Sequence, residues 1–480
     1  MKMKNILLIL LLLCQVRLST QAQDWQDTAK RIDQIFDIYK KDRPGCQIAI
    51  SRNGQLLYSK AFGMADLENQ KAMSPQTLIE AGSVSKQFTA ASILLLEQQG
   101  KLSLDEDVHK YLPELPLYPS KLTLRQMMQH TSGLKDCWAL LSPSDAPRGS
   151  KIYRNQDILD LLSRQSLNHS PGAEFMYSNT NYVLLAIIAE RVSGETLQKF
   201  TRRFIFKPAG LSHTRWRTNA NEIIGNRSIA YAPDQSSFLP DMPNEEVYGS
   251  GGLLTTAEDL LKWNKYYTGD RLGKPGLLQK QISRSPLNDG QTNDYAAGLR
   301  IVQIRNWKVY IHDGATAAYR SSLEYYPETG LSIAWLANTS AFDGKPDGLN
   351  ELRQLLLPEK TSEVKLEARQ EPPQKPLKMP EVVAVPNAID PIPLESVTGH
   401  YYSDEVQAEL DIKLNNGQLE IHRKSNEVFK LATSSDGNFR IQDSKVTLQI
   451  LRDDLGNISA ISFTTPRVRN IVFRKVLKTN

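Results

Sequence analysis

Apolar residues recur at helical spacing from Asp24 to Lys41 and then give way to two strand-like runs, Gln47-Ile48-Ala49-Ile50 and Gln55-Leu56-Leu57-Tyr58, which flank Asn53-Gly54. Asn-Gly supplies the two positive-φ residues of a tight hairpin turn, so the runs predict a β-hairpin. Gly82 then opens a helix in which Val84, Phe88, Ala91 and Leu95 mark one buried stripe. Residues 102–182 read mainly as helix and loop, with Leu122-Thr123-Leu124 opening one helix, and a very apolar helix is expected over 181–191. Short strands follow at 308–311, 322–326 and 331–336. Strands at both ends with helices between them predict a mixed α/β domain whose sheet is assembled from distant sequence.

A second pattern begins at Leu394. Leu410, Ile412 and Leu414 alternate with polar residues, Asn415-Asn416-Gly417 marks a turn, and Leu419 and Ile421 resume the alternation. Val446, Leu448 and Ile450, then Ile461 and Phe463, then Ile471 and Phe473 continue it, which predicts a small antiparallel barrel over 394–480. Between the two patterns, residues 358–393 carry Pro372-Pro373, Pro376, Pro380, Pro386 and Pro391 among charges, the composition of a linker.

At the other end, residues 1–22 have the parts of an export signal: Lys2 and Lys4, an apolar run from Ile6 to Leu13, and Thr20-Gln21-Ala22 as a small-residue exit. The apolar run is too short to span a bilayer, and bulky Leu13 before Cys14 argues against a lipidation site. The expected mature chain, with its first domain over 23–357, is exported to the periplasm or the extracellular space and has no membrane span. Loss of Lys2, Lys4 and Arg17 lowers the formal charge from +5 to +2, which gives no footing for nucleic acid. Cys46 and Cys137 then remain, either as one disulfide or as two buried thiols. The seven histidines are scattered without ligand spacing, so no metal is expected.

The candidate chemistry starts at Ser83-Val84-Ser85-Lys86. A serine at the first turn with a lysine three residues on places an amine beside a hydroxyl, the geometry of a Ser-Lys nucleophile. Ser-x-x-Lys also occurs at Ser132/Lys135 and Ser362/Lys365, but the first has a glycine inside the tetrad and the second lies in the linker. Tyr177-Ser178-Asn179 runs straight into the apolar helix. A phenol beside an ammonium can have its pKa lowered and act as a general base, and a carboxamide can hold a substrate amide. His312-Asp313-Gly314-Ala315 sits at the end of one strand and shortly before the next. Gly314 there lets a substrate backbone lie against the strand edge, and the Ala315 N–H is a candidate oxyanion donor.

Ser-x-x-Lys, Tyr-x-Asn and His-Asp-Gly in this order resemble the motif set of the penicillin-recognising serine hydrolases, and the Tyr-led second motif is similar to the class C β-lactamase branch. Phe62-Gly63, His130-Thr131-Ser132-Gly133-Leu134 and Gly249-Ser250-Gly251-Gly252 add to the likeness, which covers roughly residues 25–355. The resemblance implies an antiparallel sheet flanked by helices, an all-helical subdomain that contributes the Tyr-x-Asn, and a site in the cleft between them. It implies that Ser83 attacks a carbonyl, that Lys86 and Tyr177 move its proton, that Asn179 positions the acyl amide, and that the Ser83 and Ala315 N–H groups hold the oxyanion. Water then releases the acyl-enzyme, and no cofactor is implied. His312 stands where the β-lactamases carry a lysine that pairs the substrate carboxylate; esterases and D-amino-acid peptidases of the superfamily commonly have His there. The expected substrates are therefore small esters or D-amino-acid-containing peptides and amides, with a β-lactamase or a slowly deacylating penicillin-binding sensor as the alternatives. Arg320 is a candidate for the missing cation, and Ala318 stands where relatives often have Gly. The C-terminal barrel looks like the lipocalin-like accessory domain of some of these hydrolases; it either restricts the cleft or serves as a stability module.

Overall fold

The computed structural model describes residues 25–144, 146–360, 392–424, 427–434 and 438–476. The expected export segment 1–22 and most of the expected linker lie outside them. The first helix, α1, covers residues 25–36 and stops short of Lys41 in a turn. Strands β1 (Cys46–Arg52) and β2 (Gln55–Phe62) form the expected hairpin, with Asn53 and Gly54 at φ 51° and 74°. A 3₁₀ turn, Gly82–Ser85, leads into α2 (Lys86–Gln98). Helix α3 (Asn179–Ser193) starts at the asparagine of the Tyr-x-Asn triplet.

Four further strands, β3 (Arg300–Ile304), β4 (Trp307–Thr316), β5 (Tyr319–Tyr326) and β6 (Leu331–Ala337), join the hairpin in one antiparallel sheet of order β3-β4-β5-β6-β1-β2. The link across the sequence is the pairing of β1 with β6, in which Ala49 faces Ala334. Alternation in β1 decides the layering: Cys46, Ile48 and Ile50 pack with Ile32 and Phe36 of α1 and with Leu352, while Ala49 faces the core that holds α2. His312-Asp313-Gly314 lies inside β4, which is longer than the four apolar residues 308–311 suggested.

Helix α2 departs from its expected single stripe. Lys86 through Leu96 are all buried, with Phe88 between Phe206 and Trp263, because the helix runs between the sheet and the helical subdomain. Helix α3 is buried from Thr180 to Ala189 for the same reason. Cys46, in β1, and Cys137, which opens a short helix, are separate buried thiols. No described helix is long and apolar enough to cross a membrane.

The C-terminal strands, β7 (Gly399–Ser403), β8 (Ala408–Asn415), β9 (Gln418–His422), β10 (Val428–Thr433), β11 (Phe439–Ile441), β12 (Thr447–Arg452), β13 (Ile458–Thr465) and β14 (Val468–Lys475), follow one another round a closed antiparallel barrel. Its inward residues, among them Tyr401, Leu410, Ile412, Phe463 and Phe473, are buried against one another. The barrel also grips the helical subdomain. Lys135, the lysine of the second Ser-x-x-Lys, has a fully buried side chain and reaches Glu405 at 3.1 Å, and Gln165 Nε2 donates to the Glu405 carbonyl at 2.7 Å. That lysine ties the helical subdomain to the barrel.

Candidate active site

Gly82 sets the nucleophile turn. At φ +49° it occupies the left-handed region, and a Cβ on it would come within 2.8 Å of the Ala315 nitrogen. Gly314 makes the reciprocal approach: a Cβ there would meet the Ala81 oxygen at 2.2 Å and Ser321 Oγ at 2.3 Å, across the bond that Ser321 Oγ donates to that oxygen. The two glycines bring the Ala315 amide beside Ser83. Gly314→Ala must therefore push β4 off the turn, and the expected loss is about 10²–10³ in kcat, the usual effect of removing one oxyanion donor; steady-state kinetics on a chromogenic ester measures it.

In a 3₁₀ turn side chains at i and i+3 eclipse, which puts Lys86 Nζ 3.0 Å from Ser83 Oγ. The Tyr177 hydroxyl donates to the same Oγ at 2.9 Å. Lys86 Nζ also donates to Asn179 Oδ1 at 3.0 Å and to the Ser250 carbonyl at 2.6 Å. A neutral amine has two hydrogens and one lone pair. Those two acceptors use the hydrogens, and the lone pair is left to accept from Ser83. Burial drives Lys86 well below the ordinary lysine value, against the pull of the Asp136 carboxylate, so the electrostatics agree with the geometry.

Tyr177 corrects the expectation of an acidified phenol. Burial raises it above its ordinary value and outweighs the downward pull of the Ser83 hydrogen bond and the Arg467 charge. Its ring packs at a tilt of 34° against buried His130, centroids 4.2 Å apart, and Tyr177 stays a proton donor. Burial thus favours the unprotonated amine at Lys86 and the protonated phenol at Tyr177, a pairing that local sequence does not give because both shifts come from burial. The pH profile follows. The acid limb of kcat/KM rises as Lys86 loses its proton, well below the usual lysine range, and no alkaline limb from Tyr177 enters below about pH 10. A pH–rate series to pH 10 checks both signs.

Asn179 is held by a residue outside the three motifs. The Asp136 carboxylate accepts from the Asn179 N–H at 2.6 Å and from Nδ2 at 2.9 Å, which fixes Oδ1 on Lys86 and leaves one Nδ2 hydrogen for a substrate carbonyl. Asp136 directly follows Lys135 after His130-Thr131-Ser132-Gly133-Leu134, and that adjacency was the signal available in the sequence. Tyr295 was also missed, and nothing local marks it.

His312 lines the cleft, but both ring nitrogens are engaged: Nε2 with the Tyr295 hydroxyl at 2.8 Å and Nδ1 with the Asp313 carbonyl at 2.6 Å. Burial pushes the imidazole down to about 3, so it is neutral at physiological pH. Arg320 does not replace the missing cation. Its guanidinium is paired with Asp343 and bonded to the Ala317 and Tyr319 carbonyls. Ala318 is fully buried in the β4–β5 connection, where Ala317 takes the left-handed conformation at φ 45°.

The described cleft runs from Ser83, Tyr177, Asn179 and Ser250 past His312, Gly314 and Ala315 to the barrel residues Thr464, Pro466 and Arg467. Residues 26–357 match the family described as Beta-lactamase. The chain is similar to Penicillin-binding protein 4* of Bacillus subtilis, 31% identical over 335 residues, which are 65% of this chain and 72% of that protein. Further curated relatives at 28% identity are spanned over 64% of their length. The octameric penicillin-binding protein homologue from Pyrococcus abyssi aligns at 20% identity with a TM-score of 0.59, covering 94% of this chain and 99% of that one. D-amino acid amidase from Ochrobactrum anthropi aligns at 22% identity with a TM-score of 0.58, covering 69% and 98%. The two structures share the fold; the family rests on the sequence match, and by it the chain belongs to the beta-lactamase family of serine hydrolases.

Proposed function

We propose that the protein is an exported hydrolase that cleaves small esters or D-amino-acid-containing peptides and amides through an acyl-enzyme on Ser83. The observation that carries this reading is the Ser83 oxygen held between Lys86 Nζ at 3.0 Å and the Tyr177 hydroxyl at 2.9 Å. Ser83 Oγ attacks the carbonyl carbon as its proton passes to neutral Lys86, and the Ser83 and Ala315 N–H groups hold the oxyanion. Tyr177 gives its proton to the departing nitrogen or oxygen and recovers one from the Lys86 ammonium. Water then takes the place of the leaving group and the same pair runs in reverse. The one free Nδ2 hydrogen of Asn179 holds the acyl amide.

Neutral His312 favours this reading over a β-lactamase, because the position that would fix a β-lactam carboxylate carries no charge. The kinship with penicillin-binding and D-amino acid amidase structures supports the D-amino-acid substrates. The test is intact-mass spectrometry of the protein with a p-nitrophenyl ester, a D-alanyl peptide or a penicillin, with product followed in parallel and Ser83→Ala as control. Turnover of ester or peptide with slow or no penicillin release supports the proposal. Rapid penicillin hydrolysis would make it a β-lactamase, and turnover that survives in Ser83→Ala would remove the acyl-enzyme altogether.

A further inference from the structure

The barrel sends one turn to the catalytic residues. Pro466 and Arg467 form the tip between β13 and β14, and several contacts fix that tip on the segment leading to Tyr177. The Arg467 carbonyl accepts from Asn168 Nδ2 at 3.0 Å and from the Asp136 N–H at 3.4 Å. The Arg469 N–H donates to Asn168 Oδ1 at 2.7 Å, and its guanidinium makes two bonds to Glu174 at 3.0 and 2.8 Å. Asp136 is also the residue that holds Asn179, so the tip is bonded directly to the site's own scaffold.

From this anchored backbone the Arg467 side chain lies over the Tyr177 ring, its guanidinium carbon 4.9 Å from the centroid. The side chain is exposed to the cleft and, among the described residues, has no carboxylate and no hydrogen-bond acceptor. Three other cations that line the cleft are committed: Arg148 to Glu245 and Thr316, Arg320 to Asp343, and Arg469 to Glu174. Arg300, on the edge strand, acts on His312 and Tyr295, whereas Arg467 acts on Tyr177, Lys86 and His130. A guanidinium with five unused donors beside a cleft whose usual cation position holds a neutral histidine is a carboxylate receptor without its carboxylate.

We propose that Arg467, delivered by the C-terminal barrel, binds a free carboxylate on the leaving-group side of the substrate, so that the enzyme selects acyl compounds whose departing portion is an amino acid or hydroxy acid. The side follows from the role of Tyr177: its hydroxyl protonates the leaving atom, and a carboxylate one carbon beyond that atom falls over the same ring. This inference rests on the acyl-enzyme reading of Ser83 and gives the barrel a part in substrate choice.

The test uses the full chain and a matched pair, N-acyl-D-alanyl-D-lactate and the corresponding D-lactamide, which differ only in the carboxylate. The readout is the ratio of kcat/KM for acid to amide. In the wild type this ratio favours the acid; in Arg467→Ala it falls about 10- to 100-fold, chiefly through KM for the acid, and Arg467→Lys restores part of it. An unchanged ratio in Arg467→Ala overturns the proposal, even if both rates fall together, since that pattern marks a packing role. A ratio that collapses in Arg300→Ala and not in Arg467→Ala also overturns it. Wild-type adducts or turnover that do not depend on Ser83 would instead remove the underlying hydrolase reading, and the intact-mass control shows which has failed.

Discussion

Lys86→Met lowers the rate of Ser83 acylation by about 10³–10⁴-fold, the loss expected when the general base of an activated nucleophile is removed. Methionine keeps the unbranched shape of the side chain in a fully buried slot, so loss of the amine and not loss of packing is what the variant reports. Stopped-flow acylation with a p-nitrophenyl ester gives the rate, and the pH profile gives the cause, because the acid limb assigned to Lys86 must disappear with it. A residual rate within tenfold of wild type would show that Tyr177 alone activates the serine. The same substitution reads out in stability. Lys86 titrates lower in the folded chain than in the unfolded one, so between those two values the unfolded state binds more protons and wild-type stability rises with pH. The variant lacks that rise.

The parts of the site legible in the sequence are those in which one short segment decides its own geometry. Ser83 and Lys86 meet because they are three residues apart at a glycine-led turn, and the Asn53-Gly54 and Asn416-Gly417 turns are set by positive φ at both residues of each. What was not legible depends on what a segment packs against. The run from Val84 to Leu95 reads as a single stripe, yet α2 is buried all round because the sheet and the helical subdomain cover it from both sides. An amine neighbour would acidify the phenol of Tyr177 only as a cation, but burial pulls that amine well below its ordinary value and raises the phenol. Asp136, Tyr295 and Arg467 reach the site from three separate stretches of chain, and no spacing within any of them marks the meeting point. The alternation over 394–480 predicts the barrel itself, whereas its contribution to the cleft depends on which of its turns meets the hydrolase domain.

Arg217→Met should destabilise the fold by about 3–5 kcal/mol, the usual cost of removing one member of a buried ion pair. Arg217 has a fully buried side chain and donates to both carboxylate oxygens of Glu80, at 2.9 and 3.2 Å, and to the Glu245 carbonyl. Glu245 in turn holds Arg148, which donates to Thr316 at the end of β4 at 2.9 Å, so the network braces the strand that carries Ala315. Urea unfolding of the single variant, of Glu80→Leu and of the double variant separates the effects. Each single change takes a buried charge from its bidentate partner and leaves it a longer contact, Glu80 with Arg227 at 3.6 Å or Arg217 with Glu245 at 3.9 Å, while the double change removes both charges and should cost less than the sum of the two. Additive costs would mean that the pair is not coupled. The acid side supplies a second sign. Burial works to raise the Glu80 carboxyl, but the charges of Arg217 and Arg227 outweigh it and hold the group below its ordinary value. A carboxyl depressed in the folded state contributes stability that is present above its unfolded value near 4.3 and is lost as pH falls through the folded one. Wild type must therefore lose stability more steeply than Glu80→Leu as the solution is acidified below about pH 4, and parallel curves would show that Glu80 is not charged in the fold.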